Sequence, residues 1–527
     1  MKQLQMLLLI LLILFPTYGQ ALEFCQNPAL EKLPMLTAGR VVPLFVHAQE
    51  MVKGFLIEKK GDNALTATAL YCYLSLGQKE MVSERFALVL GAKVKHPQLK
   101  DFFHLDKSDN KVSIEILASK KEELWQRYQM EVKAGRDREG VGLALGEVLL
   151  VYNNFLMVTE GRDWNYLERS GKWAKVLALY QEFSANANEE EFSRIVLKSN
   201  AYLSASEVQS LQLVTLYEKS RPFATAIILC LLGFFCALLA IKRSSFDLVA
   251  QIVLWITLIV EVYGIVLRMM ISGRAPITNM YETVLIAGWG ALLLAALIVY
   301  FGKDKDKRLL PLGFVCNLAA LFMMNFSTTM LDASIKPLVP VLRDNFWLST
   351  HVTSVVLSYA AFTLGSLVAN VVVIAYIFST RFYKQVQEWN QIIRITMQVG
   401  VVFLTIGILL GGIWADYSWG RFWGWDPKET WSLITLIAYL VVLHGWHVGW
   451  FREILFSFVA IIGLMLVLMT WFGVNYILSV GLHSYGVSAG GTIFLLSIFI
   501  VELMILFLGV IRYRISYAKA KAKVEER

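Results

Sequence analysis

ILFSFVAIIGLMLVLMTWFGV, residues Ile454 to Val474, runs for 21 residues without a charged side chain. A helix needs about 20 apolar residues to cross a bilayer. In hydrocarbon only a helix or a closed barrel satisfies its own backbone. The stretch is read as a membrane span. Working outward, comparable runs occur near 222–241, 246–269, 283–301, 309–325, 352–379, 396–413, 431–450 and 490–511. Composition agrees, because only 17% of the 527 residues are charged and 57% are hydrophobic, whereas soluble chains carry about a quarter charged residues. The expected fold class is mainly α: a polytopic bundle of about nine spans preceded by a mainly helical soluble domain.

The chain opens with Lys2, an apolar run from Met6 to Phe15, and the small-residue stretch Gly19-Gln20-Ala21. That run is short for a span and reads as a signal peptide over 1–21, with an uncleaved anchor as the alternative. Either version exports the domain after it. Residues 22–221 have soluble composition and show no long apolar run. Helical spacing of apolar residues over Leu44–Glu58, Glu122–Glu131, Trp164–Phe183 and Ser206–Glu218 predicts helices there. His47, His96 and His104 lack ligand-spaced neighbours and read as ordinary histidines. Five cysteines, Cys25, Cys72, Cys230, Cys236 and Cys316, form no CxxC or CxxCH. That excludes a thioredoxin-like reductant and a covalent cytochrome c. Cys25 and Cys72 are free to pair outside the cytoplasm. The remaining parts are an extra span with its loop at 222–245, a membrane domain at 246–511 and a basic tail at 512–527.

The net charge of +8 comes from Lys and Arg beside the spans and not from one basic block, so no nucleic-acid partner is expected. Loops 242–245, 302–308, 380–395 and 451–453, with the tail, hold sixteen Lys or Arg, against five in the opposite set. Positive loops stay inside. The soluble domain is then outside, as the signal requires, and the C-terminus is cytoplasmic.

On the outer side the sequence concentrates tryptophan. Seven of the 15 lie between Trp414 and Trp450, and the loop Trp414 to Trp431 carries Trp414, Trp419, Trp423, Trp425 and Trp431 around Gly420, Gly424 and Asp426. Interface anchoring explains one or two aromatics per helix end. Four tryptophans between 419 and 431, interleaved with glycines and charges, suit a planar amphipathic ligand such as haem. Imidazole is a usual axial ligand for haem iron. His351 at the start of the fifth span and His483 in the loop after the eighth fall on the same face as the tryptophans. His444 lies inside the seventh span, ~20 Å deep at 1.5 Å per residue, where an ionisable group marks function. His447, one turn on, reads as interfacial. Arg421 and Lys428 are the loop's cations, and both haem propionates and surface anchoring remain open for them.

The run Trp419-Gly-Arg-Phe-Trp-Gly-Trp-Asp-Pro-Lys-Glu-Thr-Trp431 resembles the tryptophan-rich "WWD" signature of haem-handling proteins. With Gly481-Leu-His-Ser-Tyr485, Gly273-Arg274-Ala-Pro-Ile-Thr-Asn-Met-Tyr-Glu282 and His351…Tyr359-Ala-Ala-Phe362, it is similar to the CcsA (ResC) branch of cytochrome c biogenesis. The likeness covers roughly 246–511. By that resemblance His351 and His483 are the outer haem ligands and catalytic residues, and His444 is the embedded histidine that receives haem. The tryptophans with Asp426 would form the haem platform. A weaker likeness, carried by Leu33-Pro34…Gly39-Arg40-Val-Val-Pro43-Leu44 and the layout, links residues 22–241 to the rear portion of CcsB (ResB).

The resemblance implies a cytochrome c haem lyase in the bacterial inner membrane that handles haem b as a bound substrate. It would deliver haem to the CxxCH thiols of exported apocytochrome c, beside a thiol-reducing partner. The fused relatives take a second membrane histidine from an earlier CcsB span. No span before His351 has one here, so that ligand comes from another polypeptide or is missing, and a separate CcsB/ResB-like subunit is the expected source. The alternative is a haem transporter or chaperone without attachment activity. A dihaem cytochrome b would need paired deep histidines, and only His444 is deep.

Overall fold

The computed structural model describes residues 25–37, 40–52, 54–59, 65–75, 88–94, 96–106, 108–136, 140–160, 201–301, 308–327, 330–335, 344–379, 383–451, 453–478 and 491–525. The signal expected at 1–21, the helix expected at Trp164–Phe183, and His483 lie outside them. Two compact units emerge, Met1–Lys219 and Ser220–Arg527.

In the first unit the Leu33–Leu44 motif folds as an antiparallel hairpin. β1 (Pro34–Thr37) pairs with β2 (Arg40–Pro43), and the Leu44 N–H donates to the Leu33 carbonyl at 2.7 Å. Then come α1 (Leu44–Val52), β3 (Leu56–Lys59), α2 (Ala67–Ser75), β4 (Leu88–Lys93), α3 (Pro97–Phe102) and β5 (Lys111–Ser113). Strands β3, β4 and β5 form one antiparallel sheet in that order. Helices α4 (Ile114–Ser119), α5 (Lys121–Lys133), α6 (Gly140–Thr159) and α7 (Ala205–Ser220) complete the unit. Helix dominates, as expected, although the stretch Leu44–Glu58 is helical only to Val52. Gly54 stops α1, and the extended residues beyond it pair with β4 instead.

The reading that residues 22–221 contain no long apolar run does not hold. α6 is 20 residues long with a mean hydropathy of 1.6, long and apolar enough to cross a membrane. Its Leu145, Val148, Phe155 and Val158 are buried in the unit's own core beside residues of α1, α2 and α5. Most of its surface is not buried within the unit, so length and composition do not tell it from a span. Cys25 and Cys72 sit in the same core, joined by a disulfide.

The second unit is a multi-pass membrane bundle of nine long helices among the described residues. These are α8 (Pro222–Lys242), α9 (Asp247–Ser272), α10 (Met280–Phe301), α11 (Leu309–Phe326), α12 (Thr353–Phe378), α13 (Tyr383–Trp419), α14 (Pro427–His447), α15 (Ile454–Leu468) and α16 (Gly491–Glu525). α12 is the central helix, packed on α10, α11, α13, α15 and α16. α14 lies at the edge, touching α13, α15 and the π-helical continuation of α15 over Met469–Leu478.

Buried polar pairs tie helices where no water competes. Asn317 Nδ2 of α11 donates to Glu261 Oε1 of α9 at 2.6 Å and to Cys230 Sγ of α8 at 3.2 Å. Asn370 of α12 donates to Glu502 of α16 at 3.2 Å. Two expectations shift here. The tryptophan loop is shorter than 414–431, because α13 continues through Trp419, and the tail's described residues, through Glu525, extend α16.

Candidate functional site

The site begins with how α12 and α13 cross. Gly407 and Gly411 of α13 leave a groove that receives side chains of the segment opening α12. A Cβ at Gly407 would stand 2.6 Å from Val355 Cγ2, and one at Gly411 would stand 2.6 Å from His351 Cε1. The spacing 407 to 411 is matched in reverse by 355 to 351, the register of an antiparallel pair. Glycine is required at 411 because the imidazole occupies the Cβ position.

His351 lies in a π-helical turn, Leu348–Val352, between the short turn Asn345–Trp347 and α12. Such turns are uncommon and concentrate at functional sites. Its Nδ1 donates to the Gly407 carbonyl at 2.7 Å. A carbonyl only accepts, so a proton sits on Nδ1, and in the neutral ring the lone pair is on Nε2. Trp414 packs edge-on against the ring at 5.9 Å. The Trp414 indole N–H is buried and meets no acceptor among the described residues.

Beside His351 opens a mainly apolar cavity with about 1000 Å³ of space, part of it open to the surface. One wall is Ile277–Met280 with Thr283, and a second is Leu348, Val352, Val355, Val356 and Tyr359. The third comes from Phe422, Trp423, Lys428, Glu429 and Ser432, and Trp471 closes the remainder. Three motifs far apart in sequence therefore meet around one imidazole.

Each wall is braced. Glu282, nearly fully buried, accepts from Arg268 Nη2 at 2.7 Å and from the Thr278 N–H and hydroxyl at 2.8 Å each. Arg268 Nη1 also donates to the Ala333 carbonyl. Trp471 Nε1 donates to Thr283 Oγ1 at 3.2 Å, and its ring stacks on Tyr359 at 5.3 Å.

The aromatic turn is held by its own acids. Asp426 caps α14 by accepting from the Lys428 and Glu429 N–H groups, and Glu429 returns a bond to the Asp426 N–H, making a capping box with Pro427 as the first helical residue. Glu429 also accepts from the Gly424 N–H at 2.7 Å and pairs with Arg421 at 3.4 Å. Trp425 takes a left-handed φ of +56°, which is strained for a bulky residue.

The expected residues separate accordingly. His351 and Trp423 line the cavity, and Trp414 backs the imidazole. Trp419 ends α13 under the Arg421 guanidinium, 5.6 Å from the ring centroid. Trp425 is 70% exposed and touches Trp423 edge-on at 5.9 Å. Trp431 is in α14, where its carbonyl accepts from Thr470. None of these three lines the cavity, and Asp426 serves as a helix cap. His444 is remote, exposed near the other end of α14, with Trp450 at 5.9 Å. Sequence reading missed Trp471, Phe422 and the Gly407–Gly411 groove. Trp471 lay in a uniformly apolar run and carried no signal, whereas paired glycines inside a helix were a usable one.

Fold and site together define a polytopic helical membrane protein with an imidazole-bearing cavity at one end of its bundle. A family model described as Cytochrome C assembly protein matches residues 277–483, which spans every wall of that cavity. Cytochrome c biogenesis protein CcsA of Trachelium caeruleum is 32% identical over 262 residues, 42% of this chain and 80% of that protein. CcsA of Chlorella vulgaris is 32% identical over 265 residues, covering 42% and 81%. Protein NrfI of Wolinella succinogenes is 36% identical over 251 residues, 46% of this chain but only 26% of that longer protein. The chain belongs to the CcsA family of cytochrome c biogenesis proteins.

Proposed function

We infer that this chain binds haem in the cavity beside His351 and presents it for covalent attachment to CxxCH thiols of an exported apocytochrome c. The observation that carries the reading is His351 itself. Its Nδ1 is committed to Gly407, its Nε2 is the nitrogen left to serve a metal in the neutral ring, and it borders a mainly apolar cavity. An imidazole, flanking indoles and a mainly apolar cavity fit haem as a bound substrate.

In this reading His351 is one axial ligand and His483 the other. Trp423 and Trp471 would contact the bound porphyrin, and Trp414 keeps the imidazole in place. Each substrate thiol adds across one vinyl double bond. A carbon–sulfur bond forms and the thiol proton goes to the neighbouring vinyl carbon, so nothing leaves. This chain's part is proximity and orientation. The thiols come from the apocytochrome, kept reduced by a thiol-reducing partner.

The outer placement of the cavity is supported by the charge bias of the loops and by the Cys25–Cys72 disulfide, a bond that persists in oxidising compartments. A CcsB/ResB-like subunit is supported by the exposure of His444 on an apolar helix face. The test is an absorption spectrum of the purified chain, with and without that subunit, and then attachment to a reporter apocytochrome. Haem-free protein under all conditions would overturn the reading. Haem loading without attachment by the complex would replace synthase with transporter.

A further inference from the structure

The hydrogen bonds that build the cavity wall leave two of its polar atoms over. Resting on the haem-binding reading above, we propose that the Asn279 amide nitrogen and the Tyr359 hydroxyl receive a propionate carboxylate of the bound porphyrin. They would thereby set the carboxylated edge of the ring against the first turn of α10.

The other polar side chains of the wall are engaged. Thr278 donates to Glu282, Thr283 donates to the Met280 carbonyl and accepts from Trp471, and Ser432 donates to the Glu429 carbonyl. Lys428 feels the charge of Asp426. Asn279 and Tyr359 line the same space, and each does a structural job with one part only. Asn279 caps α10 by accepting the Glu282 N–H at Oδ1, 2.9 Å away, which leaves its Nδ2 over. Tyr359 is 2% exposed and stacks its ring on Trp471 at 5.3 Å, which leaves its hydroxyl over. Among the described residues neither atom meets a hydrogen-bond partner. Both belong to one side of the wall, because Trp471 donates to Thr283 in the same first turn that Asn279 caps.

A buried donor without an acceptor is costly, so a ligand that brings an acceptor gains by meeting it. The ring nitrogens of haem hold the iron and its vinyls are apolar, which leaves the propionates as its acceptors. Contacts to a carboxylate are charge-assisted and stronger than neutral ones. The acids nearest the cavity do not repel it unopposed, since Glu282 pairs with Arg268 at 2.7 Å and Glu429 with Arg421 at 3.4 Å. Haem carries both propionates on one edge and its vinyl groups away from it. Holding a propionate at α10 therefore leaves the vinyl-bearing part away from that helix, for the substrate thiols. Asn279 and Tyr359 are thus specificity-determining residues for carboxylated porphyrin.

The experiment compares haem with haem dimethyl ester, which keeps iron, ring and vinyls but masks both carboxylates. The full chain, with its partner subunit where that is needed for stability, is titrated with each ligand and read by Soret absorption. Wild type should prefer haem by at least about tenfold, the worth of one charge-assisted contact. Tyr359→Phe keeps the stack on Trp471 and removes the hydroxyl, so it should shrink the preference by weakening haem alone. Asn279→Asp keeps the helix cap but sets an anion where the donor was, so haem should weaken further while the ester is spared. Thermal unfolding of both variants should match wild type. Equal binding of the two ligands by wild type, or an undiminished preference in either variant, overturns the proposal. If wild type binds neither ligand, the haem reading falls with it.

Discussion

His351 and His444 sit in opposite environments. His351 is half-buried, its ring filling the place a Cβ would take at Gly411, one nitrogen held by Gly407 and the other beside a cavity walled by four segments of the same chain. His444 shares a helix face with Ile437, Leu440, Val441 and Val448, all exposed. Its imidazole meets no hydrogen-bond partner among the described residues. An ionisable group facing hydrocarbon is costly, so such residues face protein or a polar cavity. One histidine thus borders a cavity walled by its own chain, while the other lies on an exposed apolar helix face.

That contrast is open to attack from the strong side first. His351→Ala, and likewise His483→Ala, should abolish cytochrome c maturation, with partial return on added imidazole, which occupies the place of a missing axial ligand. Wild-type levels of haem-stained cytochrome in both variants would remove the ligand assignment. Next in size is the brace of the cavity wall. Glu282→Gln leaves Arg268 buried without its counter-charge, at a cost of about 3–5 kcal/mol. Thermal unfolding in detergent should show a clear loss, and an unchanged midpoint would mean the clasp is not what holds the wall.

A finer instrument is Gly411→Ala. Its Cβ would lie 2.6 Å from the imidazole, so the ring must move, and haem per protein should fall severalfold while the helices stay assembled. Normal haem content would show that ring position is not set by this groove. Replacing Trp423 and Trp425 by Ala should lower haem content less than removing His351 does, without affecting membrane insertion, because contact area is lost but the ligand remains. Unchanged haem would return these tryptophans to interface anchoring. The smallest effect belongs to the weak side. His444→Ala in the isolated chain should leave any haem signal near His351 as it was. With a CcsB-like subunit co-expressed, the same change should reduce haem in the pulled-down complex. Identical spectra in both settings would sink the idea of a site shared across chains.

How much of this was legible differs by region. The nine spans of the second unit follow from apolar length alone, since a bilayer leaves the backbone no other choice. α6 shows the limit of that rule. Its 20 residues satisfy the same length and hydropathy as a span although one side of it packs into the first unit's core. In the site, His351 and the tryptophan-rich turn were visible as residue types. Their division of labour was not, because Asp426 and Glu429 look like ligand-facing charges in sequence and prove to be the caps that hold the turn.

A multi-pass helical membrane protein of the cytochrome c assembly kind can be read from the order of residues, because hydropathy and short motifs are local properties. Which motifs share a cavity is settled only in three dimensions. Residues 277–283, 348–359, 422–432 and Trp471 meet through the crossing of α12 and α13, and a crossing depends on the fit of side chains into a groove from another segment. The folded arrangement likewise makes Arg421 a brace of the turn and turns Lys428 to the cavity. Two cations seven residues apart carry the same charge, and what separates them is the set of atoms each one touches.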